Sequence, residues 1–178
     1  MVLWDARQSS TSSSAASGGI SSTRPAREYA GHKSAILNIS FLDGGRKILS
    51  TSEDKTIRTW EFRVPVQIQQ FADAAMHAVS HVVTHPTEPQ YLAAQSFDNR
   101  VVVLEDEGGG RVKFVRDREF TGHTIAGSSC QLRFSPDGQY VSSGDVTGLV
   151  HVWRWSTGEK LRSFQAHAAG RPVVSHLW

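Results

Sequence analysis

The chain has 178 residues, enough for one sizeable core, with 39% hydrophobic and 20% charged residues and a formal net charge of +2. Its 19 Lys and Arg balance 17 Asp and Glu without a run of one sign, which falls well short of a nucleic-acid clamp or a charged tail. A single cysteine excludes an internal disulfide and a cysteine-based zinc site, and no apolar stretch approaches the ~20 residues of a membrane helix, so a soluble, intracellular protein is expected.

At the start, Val2-Leu3-Trp4-Asp5 lies in a segment, 1–7, that reads as the end of a strand, with no signal-peptide pattern. Residues 8–23 are rich in Ser and Thr and cannot bury enough apolar surface to offset their ordering entropy. A flexible loop is expected there. Gly31-His32 then opens a unit of three strands: one before the Gly44-Gly45 turn, one ending in Ser50, and one, after a turn at Asp54, ending in Trp60-Glu61.

His32, Ser50, Asp54 and Trp60 stand at offsets of 18, 4 and 6 residues. Ser, His and Asp together invite a hydrolase reading. A catalytic serine, however, needs an open cleft and an oxyanion hole. An indole N–H is a donor only, and Ser50 can accept it. Four such groups buried together must satisfy one another, so the quartet reads as structural. In this spacing it resembles the hydrogen-bonded tetrad of a WD repeat.

The spacing recurs along the chain. Phe41, His85 and Phe134 each stand nine residues before Ser50, Ala94 and Ser143, and these stand ten before Trp60, Leu104 and Trp153. The openers His32, His77, His123 and His167 follow at steps of 45, 46 and 44 residues. A period in the forties with several short strands is the pattern of a β-propeller. The middle unit keeps Asp98 but carries Ala94 and Leu104, and its run Val101-Val102-Val103-Leu104 reads as a strand buried on both faces. The third has His123, Ser143 and Trp153, with Thr147 at the turn position of Asp54, so a partial quartet is expected.

The expected fold is all-β: a partial WD-repeat propeller over 24–178, part of a seven-bladed ring. Its blades lie at about 27–63, 70–105 and 119–154, with a partial blade over 161–178 whose first strand starts at 172. Two unpaired sheet edges would make the chain poorly soluble or oligomeric.

Other clusters read as structure. His77, His81 and His85 could share a zinc on a helix, where four residues rise about 6 Å. Their β-branched neighbours favour a strand, where the same spacing is about 13 Å, too far for one metal. Gly108-Gly109-Gly110 reads as a turn, the basic stretch Arg111–Arg118 as a solvated edge strand, and Cys130 as a buried, inert thiol. Trp155 is expected to pack between blades. Lys33, Lys55, Arg58 and Arg100 are the candidate rim residues, with Arg58 and Arg100 read as partners of nearby acids before RNA or protein contacts.

Beyond the repeat, several stretches are more specific. They are Phe62-Arg63-Val64-Pro65-Val66, Ala93-Ala94-Gln95-Ser96-Phe97-Asp98-Asn99 and Gly122-His123-Thr124-Ile125-Ala126-Gly127-Ser128-Ser129-Cys130-Gln131, followed by Trp153-Arg154-Trp155. Their order resembles the C-terminal half of the propeller in the family of pre-mRNA-processing factor seventeen. The resemblance implies a non-enzymatic, nuclear component of the spliceosome acting around the second catalytic step. Its partners would be spliceosomal proteins, with RNA contact inside the assembly also in view. It implies no cofactor, metal, membrane or small-molecule substrate. Two rivals stand beside it: a generic WD-repeat adaptor such as a ubiquitin-ligase substrate receptor, and a hydrolase built on Ser50, His32 and Asp54.

Overall fold

The computed structural model describes residues 1–3 and 27–178, so the Trp4-Asp5 pair and the Ser-rich stretch over 8–23 lie outside the described residues. The described residues form strands and turns with one short 3-10 turn, Asp43–Gly45. β1 (Val2–Leu3) pairs antiparallel with β2 (Arg27–Glu28). Three four-stranded antiparallel sheets follow. The first contains β3 (Ile36–Leu42), β4 (Lys47–Ser52), β5 (Ile57–Glu61) and β6 (Gln67–Phe71). The second contains β7 (Val79–Thr84), β8 (Tyr91–Ser96), β9 (Arg100–Asp106) and β10 (Val112–Phe120). The third contains β11 (Leu132–Phe134), β12 (Tyr140–Gly144), β13 (Leu149–Arg154) and β14 (Lys160–Gln165). In each, every strand pairs with its neighbour in sequence. No described helix is long and apolar enough to cross a membrane.

The sheets do not follow the sequence units. Hairpin pairing joins each outer strand to the three before it, so the sheets run over 36–71, 79–120 and 132–165. Residues 172–178, expected as a first strand, form no ladder. Val173 N donates to Asp145 O and Gln131 N to Val174 O, both at 2.9 Å. These two isolated bonds to the edge of the third sheet are too few to set a strand.

Alternation along the strands builds two interfaces. Leu42, Leu49 and Ile57 of the first sheet pack on Val79, Val82, Leu92, Ala94 and Leu104 of the second. The opposite face of the second sheet presents Ala93, Val101, Val103 and Phe120 to Leu132, Val141, Trp153 and Trp155 of the third. β9 therefore feeds both interfaces with alternate residues, which is why its sequence is continuously apolar. A third cluster, Tyr29, Ile48 and Trp60, covers the far face of the first sheet. This is the stacking of propeller blades, face on face.

Candidate functional site

The loop into β3, the β4–β5 turn and both strands bring the first quartet together. His32 Nδ1 lies 3.0 Å from Asp54 Oδ2, and His32 Nε2 lies 2.8 Å from Ser50 Oγ. Trp60 Nε1 donates to Ser50 Oγ at 2.8 Å. With a carboxylate at Nδ1, the imidazole carries its proton there and accepts the Ser50 hydroxyl at Nε2. Asp54 also accepts Lys33 N at 2.8 Å and the Thr56 hydroxyl at 2.6 Å.

The quartet is nearly dry: the His32 and Asp54 side chains are 5% and 8% exposed, and Ser50 is fully buried. Burial pushes the His32 imidazole below its ordinary pKa, against the pull of Asp54. Burial pulls Asp54 upward, but its bonds from Thr56, Lys33 N and His32 outweigh that and hold the carboxyl well below the usual carboxylate range. No face of Ser50 is open to a substrate, so the arrangement ties backbone segments together. Gly31 has to be glycine: a Cβ there would lie 2.5 Å from Arg58 Nη1 and 3.0 Å from the Trp60 ring.

In the third sheet His123, Ser143 and Trp153 do not join one another, contrary to the expected partial quartet. Ser143 Oγ donates to Gln95 Oε1 at 3.1 Å, and His123 Nε2 lies 3.2 Å from the same oxygen. Trp153 Nε1 donates instead to Thr121 O at 3.0 Å. Two substitutions explain this. Thr147 provides no carboxylate to hold His123 Nδ1, which has no partner among the described residues. Gln95 of β8 reaches across from the second sheet into the gap. Burial pushes His123 down to about 4 and keeps it neutral.

A different relay forms instead. Asp145 Oδ2 pairs with His151 Nε2 at 2.8 Å, and His151 Nδ1 meets Ser163 Oγ at 2.9 Å. It links the turn after β12 to β13 and β14. The sequence reading missed it. The available signal was a histidine two residues before Trp153, inside a strand and facing inward.

The second sheet has neither arrangement. Ala94 and Leu104 are fully buried, while His77 is exposed. Asp98 Oδ2 accepts Arg100 Nε at 2.7 Å, and Arg100 Nη1 reaches Glu119 at 3.1 Å. His81 Nδ1 accepts Leu132 N at 3.1 Å, and His85 Nε2 lies 2.9 Å from Gly138 O, so the three histidines turn to separate surroundings.

Of the candidate rim residues, Lys33 and Lys55 are exposed and Arg100 is half-exposed in its two ion pairs. Arg58 is not on the rim. It is 6% exposed, stacked over Gly31 and bonded through Nη1 to Gln67 Oε1, because its place in β5 puts it on the same face as Trp60. Trp155 is buried, stacked on Phe120 at 5.5 Å and edge-on to Phe134, with the Arg118 guanidinium 5.1 Å above it. Cys130 is fully buried, and burial raises its thiol to about 11.

Comparison with known proteins finds similar sequences. The WD domain, G-beta repeat pattern fits residues 23–61 and 114–154. The chain is 37% identical over 152 residues to human pre-mRNA-processing factor 17, covering 85% of this chain and 25% of that protein. It is 35% identical over 150 residues to the Saccharomyces cerevisiae protein of the same name, covering 84% of this chain and 32% of that one. Mouse WD repeat-containing protein 25 is 27% identical over 154 residues, 81% of this chain and 28% of its own length. The chain thus spans about a quarter to a third of the length of these relatives.

Proposed function

Because this chain is built of WD, G-beta repeats, we propose that it is a docking scaffold in pre-mRNA splicing, working without bond-making chemistry of its own. The observation that carries this is the 37% identity to human pre-mRNA-processing factor 17, sustained over 152 residues and so over all three sheets. The burial of Ser50, His32 and Asp54 supports a mechanical role for the quartet. It clamps the loop before β3 onto β4 and β5, and keeps the neighbouring rim residues Lys33 and Lys55 in fixed positions. The working site of the protein is then nuclear, around the second catalytic step, among spliceosomal proteins.

The test is affinity purification of the tagged protein from nuclear extract, followed by mass spectrometry and RNA sequencing. Recovery of splicing factors and spliceosomal small nuclear RNAs is expected. Recovery of ubiquitin-ligase subunits in their place would make it an adaptor for degradation.

A further inference from the structure

The first strands of the three sheets, β3, β7 and β11, follow one another along one edge of the stack, and Val174 of the segment 172–178 bonds beside β11. Together these four segments hold no Asp or Glu and a single Lys or Arg, Arg133. Two histidines flank it. His81 sits against β11, its Nδ1 accepting Leu132 N at 3.1 Å, and Arg133 Nε donates to His176 O at 3.4 Å. His176 Nε2 in turn lies 2.6 Å from Ser142 Oγ.

The cluster is short of acceptors. Arg133 is half-buried and also donates to the neutral Gln131 Oε1 at 2.9 Å. No carboxylate pairs with it among the described residues, whereas Arg100 holds both Asp98 and Glu119. Because His81 Nδ1 accepts, the ring carries its proton on Nε2, a donor without a partner among the described residues. His176 Nδ1 is buried without one as well. Burial, then Arg133 and His176, push His81 down to about 4, and burial with Arg133 lowers His176, so both rings are neutral at pH 7.

One positive charge beside neutral N–H donors suits one singly charged, planar oxyanion, and a guanidinium takes a carboxylate through two parallel bonds. A phosphate monoester would keep part of its second charge uncompensated. A nucleic-acid strand needs a track of cations, which these segments lack.

We propose that His81, Arg133 and His176 hold one carboxylate of a partner polypeptide, an aspartate or glutamate side chain, at this edge of the stacked sheets. The proposal rests on the scaffold reading and names the chemistry of one contact. The bound charge favours the imidazolium form of both histidines, so binding tightens as pH falls from 7 toward about 5. Facing His81, β11 presents Arg133 and 172–178 presents His176, while β3 and the paired Gln95 of β8 add no charge.

The test is nuclear magnetic resonance of the full 178-residue chain with nitrogen-labelled histidines, titrated with N-acetyl-aspartate amide. N-acetyl-asparagine amide, of the same shape without the charge, inorganic phosphate and a uridine dinucleotide are the controls. Saturable shifts at the His81 and His176 rings are expected with the aspartate amide alone, with raised pKa values for both and the exposed His77 and His167 unmoved. Arg133→Gln, checked by thermal melting, should weaken binding by about fivefold or more, the upper range for a partly exposed ion pair. Should that variant not fold, the difference between the aspartate and asparagine amides on the natural chain decides alone. Equal shifts with the asparagine amide, shifts spread over all histidines, tighter binding of phosphate or the dinucleotide, or undiminished binding by folded Arg133→Gln would overturn the carboxylate site. None of those results touches the purification outcome, so the two readings fail separately.

Discussion

Trp60 donates its indole N–H to Ser50 Oγ at 2.8 Å across adjacent strands, and the same hydroxyl reaches His32 Nε2. One buried oxygen therefore joins β4, β5 and the loop before β3. In the third sheet the corresponding indole, Trp153, bonds a backbone carbonyl and leaves Ser143 to Gln95.

Ser50→Ala is expected to orphan both the indole and the imidazole and to destabilise the protein by about 1–3 kcal/mol. Ser143→Ala should cost less, because Trp153 keeps the Thr121 carbonyl. Urea denaturation of both variants measures this. Equal midpoint losses would contradict the difference between the two sheets.

Stability is expected to fall as pH drops from 6.5 toward 4. Burial lowers His81 and His123 from 6.5 to about 4, so in that window the unfolded chain binds more protons than the folded one. The contribution is complete above the unfolded value and is lost as pH falls through the folded one. Asp54 and Asp145, both held below their ordinary range, extend the loss to more acidic solution. Denaturation midpoints at pH 7, 5.5 and 4.5 should decline in that order. His123→Gln should flatten the decline.

Two glycines should respond for different reasons. Gly31→Ala drives a methyl into Arg58 and Trp60 and should cost about 1–3 kcal/mol, the range for overpacking. Gly44→Ala meets nothing within 4 Å, but its φ of 61° should cost about 1 kcal/mol. Adding Arg58→Ala should recover part of the first loss and none of the second in thermal melts.

Trp155→Ala should be among the most damaging substitutions, at about 3–5 kcal/mol, because the ring fills the contact of the second and third sheets. Tryptophan fluorescence and hydrogen exchange should show Leu132–Phe134 loosening before the first sheet does. Uniform loosening would mean the interface is not local.

Much of this arrangement was legible in the sequence because it depends on spacing alone. The quartet offsets mark positions that strand pairing must bring together, and the apolar run of β9 signals burial on both faces. Features that depend on a neighbouring sheet were not legible. Gln95 enters the third sheet from β8, and nothing in the local pattern around Ser143 signals it. Arg58 looked like a surface charge, yet strand alternation sets it beside Trp60, where Gly31 leaves room. Residues 172–178 have a strand-like sequence, but a strand is defined by its ladder, and this segment makes only two isolated backbone bonds to the third sheet, the rest of its hold coming from side chains such as His176 and Ser175. His151 lies outside the quartet spacing, because Asp145 and Ser163 serve it at another.

The strand β9 has a consequence for how this sequence can vary. Val101 and Val103 serve one adjoining sheet, Val102 and Leu104 the other. A single-residue insertion or deletion within it would exchange the two sets beyond that point, setting those side chains against the wrong surface. The same lesion at Gly108–Gly110 would only lengthen or shorten a connection. Length changes in related chains should therefore collect at such turns, while β9 keeps a fixed count.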